Sequence, residues 1–295
     1  MSCEKPLLAV NYGLDASTGK HHIKVVKYRP GMTIADYEEL YGDNLLLLPC
    51  GRCPSCKEKR LKDWAVRCEL ESRYYKDNCF VTLTYREDSL PKGLVKKDFQ
   101  KFIKDLRNSG VSVRYFGCGE LSPSGRPHYH LCLFGYFPDD ARFSHMSKSK
   151  EHIFKSKFLD NIWSKGIVAV QYFSPRTAGY CAGYTLKEKN TGFILMSKRP
   201  GIGERYIKEN AEKVYKNDSI VCNFGVSGVP RYFDKMLEHF GYDISLNKIT
   251  RLTNSGLNLA LSMCDRKIPL KEQIYQLNGV IKNNQLSRLR RSFNG

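Results

Sequence analysis

The sequence lacks any apolar run of the roughly 18 residues that a membrane-spanning helix needs. Its short apolar cluster, Leu45–Leu48, falls far below that length. The N-terminus also lacks the hydrophobic region of a secretory signal peptide. The eleven cysteines are an odd number in a chain without an export signal, so we expect reduced thiols and no disulfide framework. These absences predict a cytoplasmic protein with no membrane partner.

A complete phosphate-binding loop is missing as well. The segment Gly13–Lys20, GLDASTGK, has one residue too many between its glycines. His21 stands where a Ser or Thr would hold Mg²⁺. The sequence therefore does not predict an ATP-driven helicase.

Acidic residues are scarce relative to basic ones. The 295 residues include 30 Asp and Glu against 48 Lys and Arg, a formal net charge of +18. A polyanionic partner such as nucleic acid is the first expectation, with a basic solubilising surface or a ribosome-associated protein as alternatives. An apolar fraction of 41% at this length predicts one main domain with extensions.

The stretch Val113–Phe134 reads as two strands joined by the turn Ser122–Pro127, SPSGRP. Because side chains alternate along a strand, His128 and His130 share one face. In an antiparallel hairpin Glu120 lies near His128. The three side chains are therefore a candidate site for one divalent ion, Mg²⁺ or Mn²⁺, with coordination positions left open. The alternative is that they are ordinary sheet residues.

The elements around this hairpin set the fold class. We predict a strand over Cys79–Tyr85, helices over Lys96–Arg107 and Lys148–Lys165, and a strand over Ile167–Phe173. This order is the split βαβ arrangement of ferredoxin-like sheets. The predicted class is α+β with a central antiparallel sheet. We expect this core over 78–205, a cysteine-rich, helical N-terminal extension over 1–77 and a mostly helical C-terminal extension over 206–295.

A helix predicted over 174–189 follows the last strand, with a serine N-cap and a proline at its first position. Tyr180 and Tyr184 are four residues apart and lie on one face. Gly179 and Gly183 each cost about 1 kcal/mol relative to alanine. We expect such glycines where a helix approaches a sheet or a nucleic-acid strand closely. The alternative is that both tyrosines only pack.

Three cysteines at two-residue gaps, Cys50, Cys53 and Cys56, precede a helix predicted over Lys57–Tyr75. With Cys68 as a fourth ligand they could bind zinc or an iron–sulfur cluster. Alternatively, Cys68 belongs to the apolar stripe of that helix and is core. A second Cys-x-x-Cys to complete a zinc ribbon is missing.

Basic side chains supply the candidate DNA contacts, although solvated surface or an ordinary turn explains them equally well. One group lies on the helix predicted over Lys96–Arg107, and another lies in the glycine-containing loop Ser197–Gly203. The candidates are Lys97, Lys101, Lys104, Arg126, Lys198 and Arg199.

Three motifs in one order resemble the HUH endonucleases, specifically the two-tyrosine rolling-circle replication initiators. They are FVTLTY at Phe80–Tyr85, RPHYHLCLFG at Arg126–Gly135 and YCAGYTLK at Tyr180–Lys187. The resemblance covers about Cys50–Gly203 and is greatest to the branch carried by gokushovirus-like phages of the Microviridae. One departure is Gly183, where such initiators often carry a lysine.

The resemblance implies an endonuclease that needs a divalent metal, Mg²⁺ or Mn²⁺, on the two histidines and the glutamate. Tyr180 or Tyr184 would attack a DNA strand, leaving a 5′-phosphotyrosine and a 3′-OH primer, and the displaced strand would later be religated into a circle. Lys187 matches a family lysine and would supply an auxiliary cation. Implied partners are single-stranded and origin duplex DNA, a host helicase and a host DNA polymerase, in the host bacterial cytoplasm.

Two other classes of protein stay open. A plasmid relaxase or a single-tyrosine transposase would share the metal site, but the close tyrosine pair and the compact length disfavour both. A non-enzymatic nucleic-acid-binding protein with a ferredoxin-like sheet and a cysteine metal knuckle explains the charge equally well. It does not explain why the histidine pair, the glutamate and the tyrosine pair occur together.

Overall fold

The structure is a computed structural model, and it describes residues 3–18, 21–42, 44–122, 124–147, 149–184, 192–255 and 267–275. By compactness the chain divides into two units, Met1–Lys59 with Asp243–Gly295, and Arg60–Tyr242. The division into three parts at residues 77 and 205 stays a prediction.

Strands and helices alternate along the whole described chain. The strands are β1 (Leu7–Leu14), β2 (His21–Val25), β3 (Leu45–Leu48), β4 (Asn78–Tyr85), β5 (Arg114–Leu121), β6 (Pro127–Phe134), β7 (Arg142–Met146), β8 (His152–Lys155), β9 (Gly166–Tyr172), β10 (Phe193–Met196), β11 (Ser219–Cys222) and β12 (Gly225–Gly228). The helices are α1 (Ile34–Tyr41), α2 (Pro54–Ser72), α3 (Lys96–Asn108), α4 (Lys157–Trp163), α5 (Pro175–Tyr184), α6 (Glu204–Asn217), α7 (Arg231–His239) and α8 (Ser245–Thr253).

A seven-stranded antiparallel sheet forms the centre of the 60–242 unit, in the order β10-β5-β6-β4-β9-β8-β7. Strands β4, β5, β6 and β9 are the four predicted ones. Their spatial order, β5-β6-β4-β9, is that of a ferredoxin-like sheet, with β4 paired to both β6 and β9. The predicted fold class, α+β with a central antiparallel sheet, is confirmed.

One face of this sheet, which we call the α3 face, packs against α3 and α4. The predicted stripe of α3 is buried, and it meets alternate residues of the central strands in one core. That core contains Val81, Leu83, Phe99, Phe102, Ile103, Leu106, Tyr129, Leu131, Leu133, Leu159 and Val168. Period-two alternation thus sends the odd-numbered residues of β4 and β6 to this side.

The opposite face, which we call the histidine face, carries His128 and His130. It packs against α5 and the 60–72 part of α2 through a second core. That core includes Cys68, Phe80, Phe116, Cys132, Phe134, Ala178, Cys181 and Ala182. Alanines and a cysteine on the buried side of α5 let this helix lie close to the sheet.

The helix predicted over Lys148–Lys165 is wrong at its start. Residues 152–155 form β8, which pairs with β7 and places Phe154 opposite Val170 of β9. The helix begins only at Lys157, because the side chain of Ser156 caps it by accepting a hydrogen bond from the amide of Leu159 at 3.1 Å. Sheet pairing outweighs local helix pattern in this segment.

The unit formed by 1–59 and 243–295 contains the antiparallel sheet β2-β1-β3 and α1. The strand predicted at His22–Tyr28 is observed as β2, and the cluster Leu45–Leu48 is observed as β3. Of the helix predicted over Pro269–Arg291, residues 270–275 are helical and the remainder lies outside the described residues. None of the helices in the described ranges has the length and apolarity needed to cross a membrane.

Candidate active site

His130 lies at the centre of the histidine face and is 6% exposed. It is the β6 partner of Thr82 on β4, so the Thr82 hydroxyl lies 3.1 Å from its Nδ1. Its Nε2 lies 3.0 Å from Oε1 of Glu120 and donates to that carboxylate. The ring of Phe80 stacks on the imidazole with an interplanar angle of 5°. The imidazole is therefore held on both nitrogens and on one face.

Glu120 is directly opposite His128 in the β5–β6 ladder, as the hairpin pattern predicts. Its carboxylate nevertheless bonds to the diagonal neighbour, His130, and is 7% exposed. His128 is half-buried, and its Nδ1 is buried without a hydrogen-bond partner among the described residues. Burial, and then the neighbouring His130, lowers the pKa of His128.

The donor set of these three side chains suits a divalent cation, since imidazole nitrogen and carboxylate oxygen are ligands for such ions. The buried, unbonded Nδ1 of His128 is a nitrogen with no other use in the described structure. The Thr82 hydroxyl can accept as well as donate, so it can hold His130 in the tautomer that leaves the Nε2 lone pair available. In the described geometry that nitrogen bonds to Glu120, and the three ligand atoms are not gathered within 4.8 Å of one another.

Tyr180 projects from α5 over this group. Its ring centroid lies 5.2 Å from that of His130 and 6.3 Å from that of Phe80, both in edge-on arrangements. The side chain borders a cleft of about 280 Å³ whose lining includes Thr82, His130 and Arg176. Tyr180 is 49% exposed, so its hydroxyl is accessible from solvent.

Burial, and secondarily the Glu120 carboxylate, raises the pKa of Tyr180 to about 12. The side chain is therefore a neutral phenol at neutral pH. A cation that offsets the charge of Glu120 would remove the second of these causes.

The position of Tyr180 follows from the start of α5. Thr177 and Ser174 cap the helix reciprocally: the Thr177 amide donates to the Ser174 side chain at 3.3 Å, and the Ser174 amide donates to the Thr177 hydroxyl at 3.1 Å. The predicted cap and first helical proline are confirmed. Tyr184 ends α5 one turn beyond Tyr180, its side chain lies outside what the structure describes, and Lys187 lies outside the described residues.

The glycines of α5 do not serve contact with the sheet. A Cβ added at Gly179 would have no described atom within 4 Å, and one at Gly183 would meet only Leu61 Cδ2, at an ordinary 3.8 Å. The close approach to the sheet is made instead by the buried Ala178 and Ala182. Of the two expectations for these glycines, approach to a nucleic-acid strand is the one that stays a prediction.

Gly179→Ala is expected to raise the free energy of unfolding by about 1 kcal/mol, because alanine is favoured over glycine in a helix interior and open space surrounds the new methyl group. Gly183→Ala is the matched variant. If a DNA strand approaches α5 at Gly179, the Gly179→Ala protein also binds single-stranded DNA less tightly than the parent. Thermal unfolding and a binding titration measure the two effects, and a lower melting temperature would contradict the first.

The predicted DNA-contacting residues lie apart from this cleft. Lys97, Lys101 and Lys104 are exposed on α3, which covers the opposite face of the sheet. Arg126 donates to the Glu87 carboxylate and the Tyr85 carbonyl, so its guanidinium is already engaged. Any role of these residues in binding DNA stays a prediction.

Lys198 and Arg199 are exposed in the loop after β10. Since β10 ends opposite Phe116, this loop lies at the far end of β5 from Glu120. The intervening length of strand is roughly 15 Å. These two residues would reach DNA only beyond the cleft.

The predicted cysteine site divides between the two units. Cys68 is fully buried in the core of the histidine face, as the alternative interpretation had it. Cys50, Cys53 and Cys56 lie together in the other unit, and Cys3 joins them there. The structure thus groups Cys3, not Cys68, with the three cysteines.

Sequence reasoning missed four residues: Phe80 and Thr82 as supports of His130, Arg176 at the cleft, and Cys3 beside the other cysteines. The alternation of β4 does place Phe80 and Thr82 on one face. Their contact with His130 depends on the β4–β6 register, which no local pattern specifies. Arg176 carried a signal, because it lies four residues before Tyr180 and hence on the same side of α5.

Comparisons with known proteins agree with the motifs. A family model for the replication-associated protein ORF2 matches residues 78–189. The chain is 32% identical over 218 residues to replication-associated protein ORF2 of Spiroplasma virus 4, covering 65% of this chain and 68% of that protein. It is 29% identical over 206 residues to replication-associated protein VP4 of Bdellovibrio phage phiMH2K, covering 63% and 65%.

A third relative, replication-associated protein ORF4 of Chlamydia phage 1, is 28% identical over 221 residues. That alignment covers 64% of this chain and 53% of the relative, so the chain spans about half the length of that protein. No solved structure matches the chain.

Proposed function

Because this chain belongs to the family of phage replication-associated proteins that includes ORF2 of Spiroplasma virus 4, we propose that it is a replication initiation endonuclease. It nicks one strand at a phage origin by phosphoryl transfer to tyrosine. The 3′-OH left behind primes rolling-circle synthesis, and a later transfer religates the displaced strand into a circle.

The single observation that carries the proposal is the position of Tyr180, with its ring 5.2 Å from that of His130 at an open cleft. A nucleophile, an imidazole and a carboxylate meet there on different elements of a packed sheet. A protein that only binds nucleic acid has no need for a phenol and a buried Glu–His pair at one position.

The chain's own residues divide the work of the transfer. The Tyr180 oxygen forms a bond to the scissile phosphorus, and the bond from phosphorus to the 3′ oxygen breaks. The phenolic proton is lost, and the departing 3′ oxygen gains a proton to become the free hydroxyl. Arg176, exposed at the cleft one turn before Tyr180, is suited to bind the phosphate.

A divalent cation, Mg²⁺ or Mn²⁺, would be held by His128, His130 and Glu120 and would withdraw charge from the scissile phosphate. Thr82 and Phe80 orient His130 for that role through the contacts described above. Lys187 would act as an auxiliary cation for the phenolate.

Tyr184 gives the enzyme a second nucleophile on the same helix. After one round of synthesis, the free tyrosine cuts the regenerated origin while the first phosphotyrosine is resolved into a closed circle. A spacing of four residues places both side chains on one side of α5 and lets each reach the same phosphate in turn.

The partners follow from this role. The enzyme binds origin duplex and single-stranded DNA, which suits its net charge of +18. A host helicase separates the strands, and a host polymerase extends the 3′-OH, in the host cytoplasm.

The deciding experiment incubates the protein with circular single-stranded DNA of its own replicon, with Mn²⁺ or with EDTA. We expect a linear product on a denaturing gel and a DNA-linked peptide containing Tyr180 and Tyr184, both only with Mn²⁺. DNA binding without cleavage or adduct, whichever divalent metal is added, would favour the non-enzymatic binding protein.

A further inference from the structure

Four cysteines of the unit formed by 1–59 and 243–295 come together although they are distant in sequence. Strand β1 pairs antiparallel with β3, and Leu7 lies opposite Leu48. Cys3, just before β1, and Cys50, just after β3, are therefore brought to the same end of this sheet. Cys53 and Cys56 follow at the start of α2.

The spacing of the sulfur atoms matches a tetrahedral metal site. All four Sγ atoms lie within 4.8 Å of one another, the one such group of potential ligands among the described residues. The sulfurs of Cys53 and Cys3 are 3.7 Å apart. Sulfurs placed tetrahedrally about 2.3 Å from a zinc ion are about 3.8 Å apart.

The backbone around these sulfurs is arranged to stabilise thiolates. The amides of Arg52 and Cys53 both point at Cys50 Sγ, each at 3.4 Å, and the amide of Cys50 points at Cys3 Sγ at 3.2 Å. The turn that directs them needs Gly51, whose φ of +75° is unfavourable for other residues. These amide contacts are independent of the sulfur spacing and favour charged sulfur at the same position.

We propose that Cys3, Cys50, Cys53 and Cys56 bind one structural Zn²⁺. Four protein ligands fill a tetrahedral shell, which leaves no position for substrate, and four thiolates select zinc over the hard cations suited to the histidine face. Each bound thiol gives up its proton to solvent, so zinc binding releases protons.

The surrounding core explains the need for a metal. Cys3 and Cys53, 3% and 8% exposed, belong to a small core with few large side chains. Its other members are Leu8, Ile34, Tyr37, Leu47, Leu270 and Ile274. A core of this size stabilises a unit only weakly, and a metal that joins residue 3 to residues 50–56 supplements it.

The test is metal analysis of the full-length chain, without an affinity tag and without added metal. We expect one zinc per chain by mass spectrometry. Exchange for cobalt should give the intense sulfur-to-metal absorption and the visible bands of a tetrahedral thiolate site. This measurement on the parent protein needs no variant to fold.

Variants then identify the ligands. Cys3→Ser is expected to lose zinc to a competing chelator at least about tenfold more readily than the parent. Cys68→Ala is the matched control and keeps its zinc, because Cys68 belongs to a different core. A parent protein without zinc, one that holds iron instead, or undiminished zinc retention in Cys3→Ser would overturn the proposal.

Discussion

A variant carrying both Tyr180→Phe and Tyr184→Phe is expected to nick origin DNA at least about 10³-fold more slowly than the parent, because it has lost both proposed nucleophiles. Each single variant is expected to retain some nicking, since the other tyrosine reaches the same phosphate. Phenylalanine keeps the ring that packs against His130 and Phe80, so the fold and the cleft are preserved. The measurement is single-turnover cleavage of an end-labelled origin oligonucleotide.

Tyr172→Phe provides the control for the tyrosine pair. Tyr172 is exposed on β9 and stacks on Phe137 at the edge of the sheet, away from the cleft. Its nicking rate should equal that of the parent. If the double variant cuts as fast as the parent and still forms a covalent DNA adduct, the nucleophile is another residue and the assignment to α5 is wrong.

His128→Ala and His130→Ala should each lower metal-dependent nicking by at least about 100-fold, because each removes one of three proposed ligands. Their effects on stability should differ. Removing His130 takes away a hydrogen-bond partner of the buried Glu120 carboxylate and should cost about 1–3 kcal/mol. Removing His128 breaks no side-chain hydrogen bond made by its buried Nδ1 in the described structure and should cost less.

Denaturant unfolding and cleavage assays on the two histidine variants separate these effects. His145→Ala, an exposed change on β7, serves as the control and should alter neither quantity. Equal destabilisation by both variants would show that the Glu120–His130 bond contributes little to folding. Full activity in His128→Ala would remove that residue from the metal site.

The hairpin of β5 and β6 was predictable because two local signals agreed on it. Strict alternation fixed which side chains share a face, and the turn at Ser122–Pro127 fixed the register that places Glu120 opposite His128. The buried stripe of α3 was predictable for a similar reason, since helical spacing alone specifies it. Both depend only on residues close together in sequence.

The features that sequence missed depend on distant pairing. Ile153 and Phe154 are two apolar residues in a short segment, a pattern that fits a strand or a helix equally, and their pairing with β7 and β9 decides the matter. Cys68 was favoured as a fourth ligand by its nearness to Cys56. Cys3 is brought to that position only by the pairing of β1 with β3.

The central position of β4 has a consequence for how activity is lost. Thr82 and Phe80 support His130 from a strand hydrogen-bonded on both sides, to β6 and β9. Amide protons of such a strand exchange with solvent mostly through global unfolding, not local fluctuation. Substitutions that weaken the α3 face should therefore reduce the number of folded molecules, while each molecule that remains folded keeps an unaltered histidine pair.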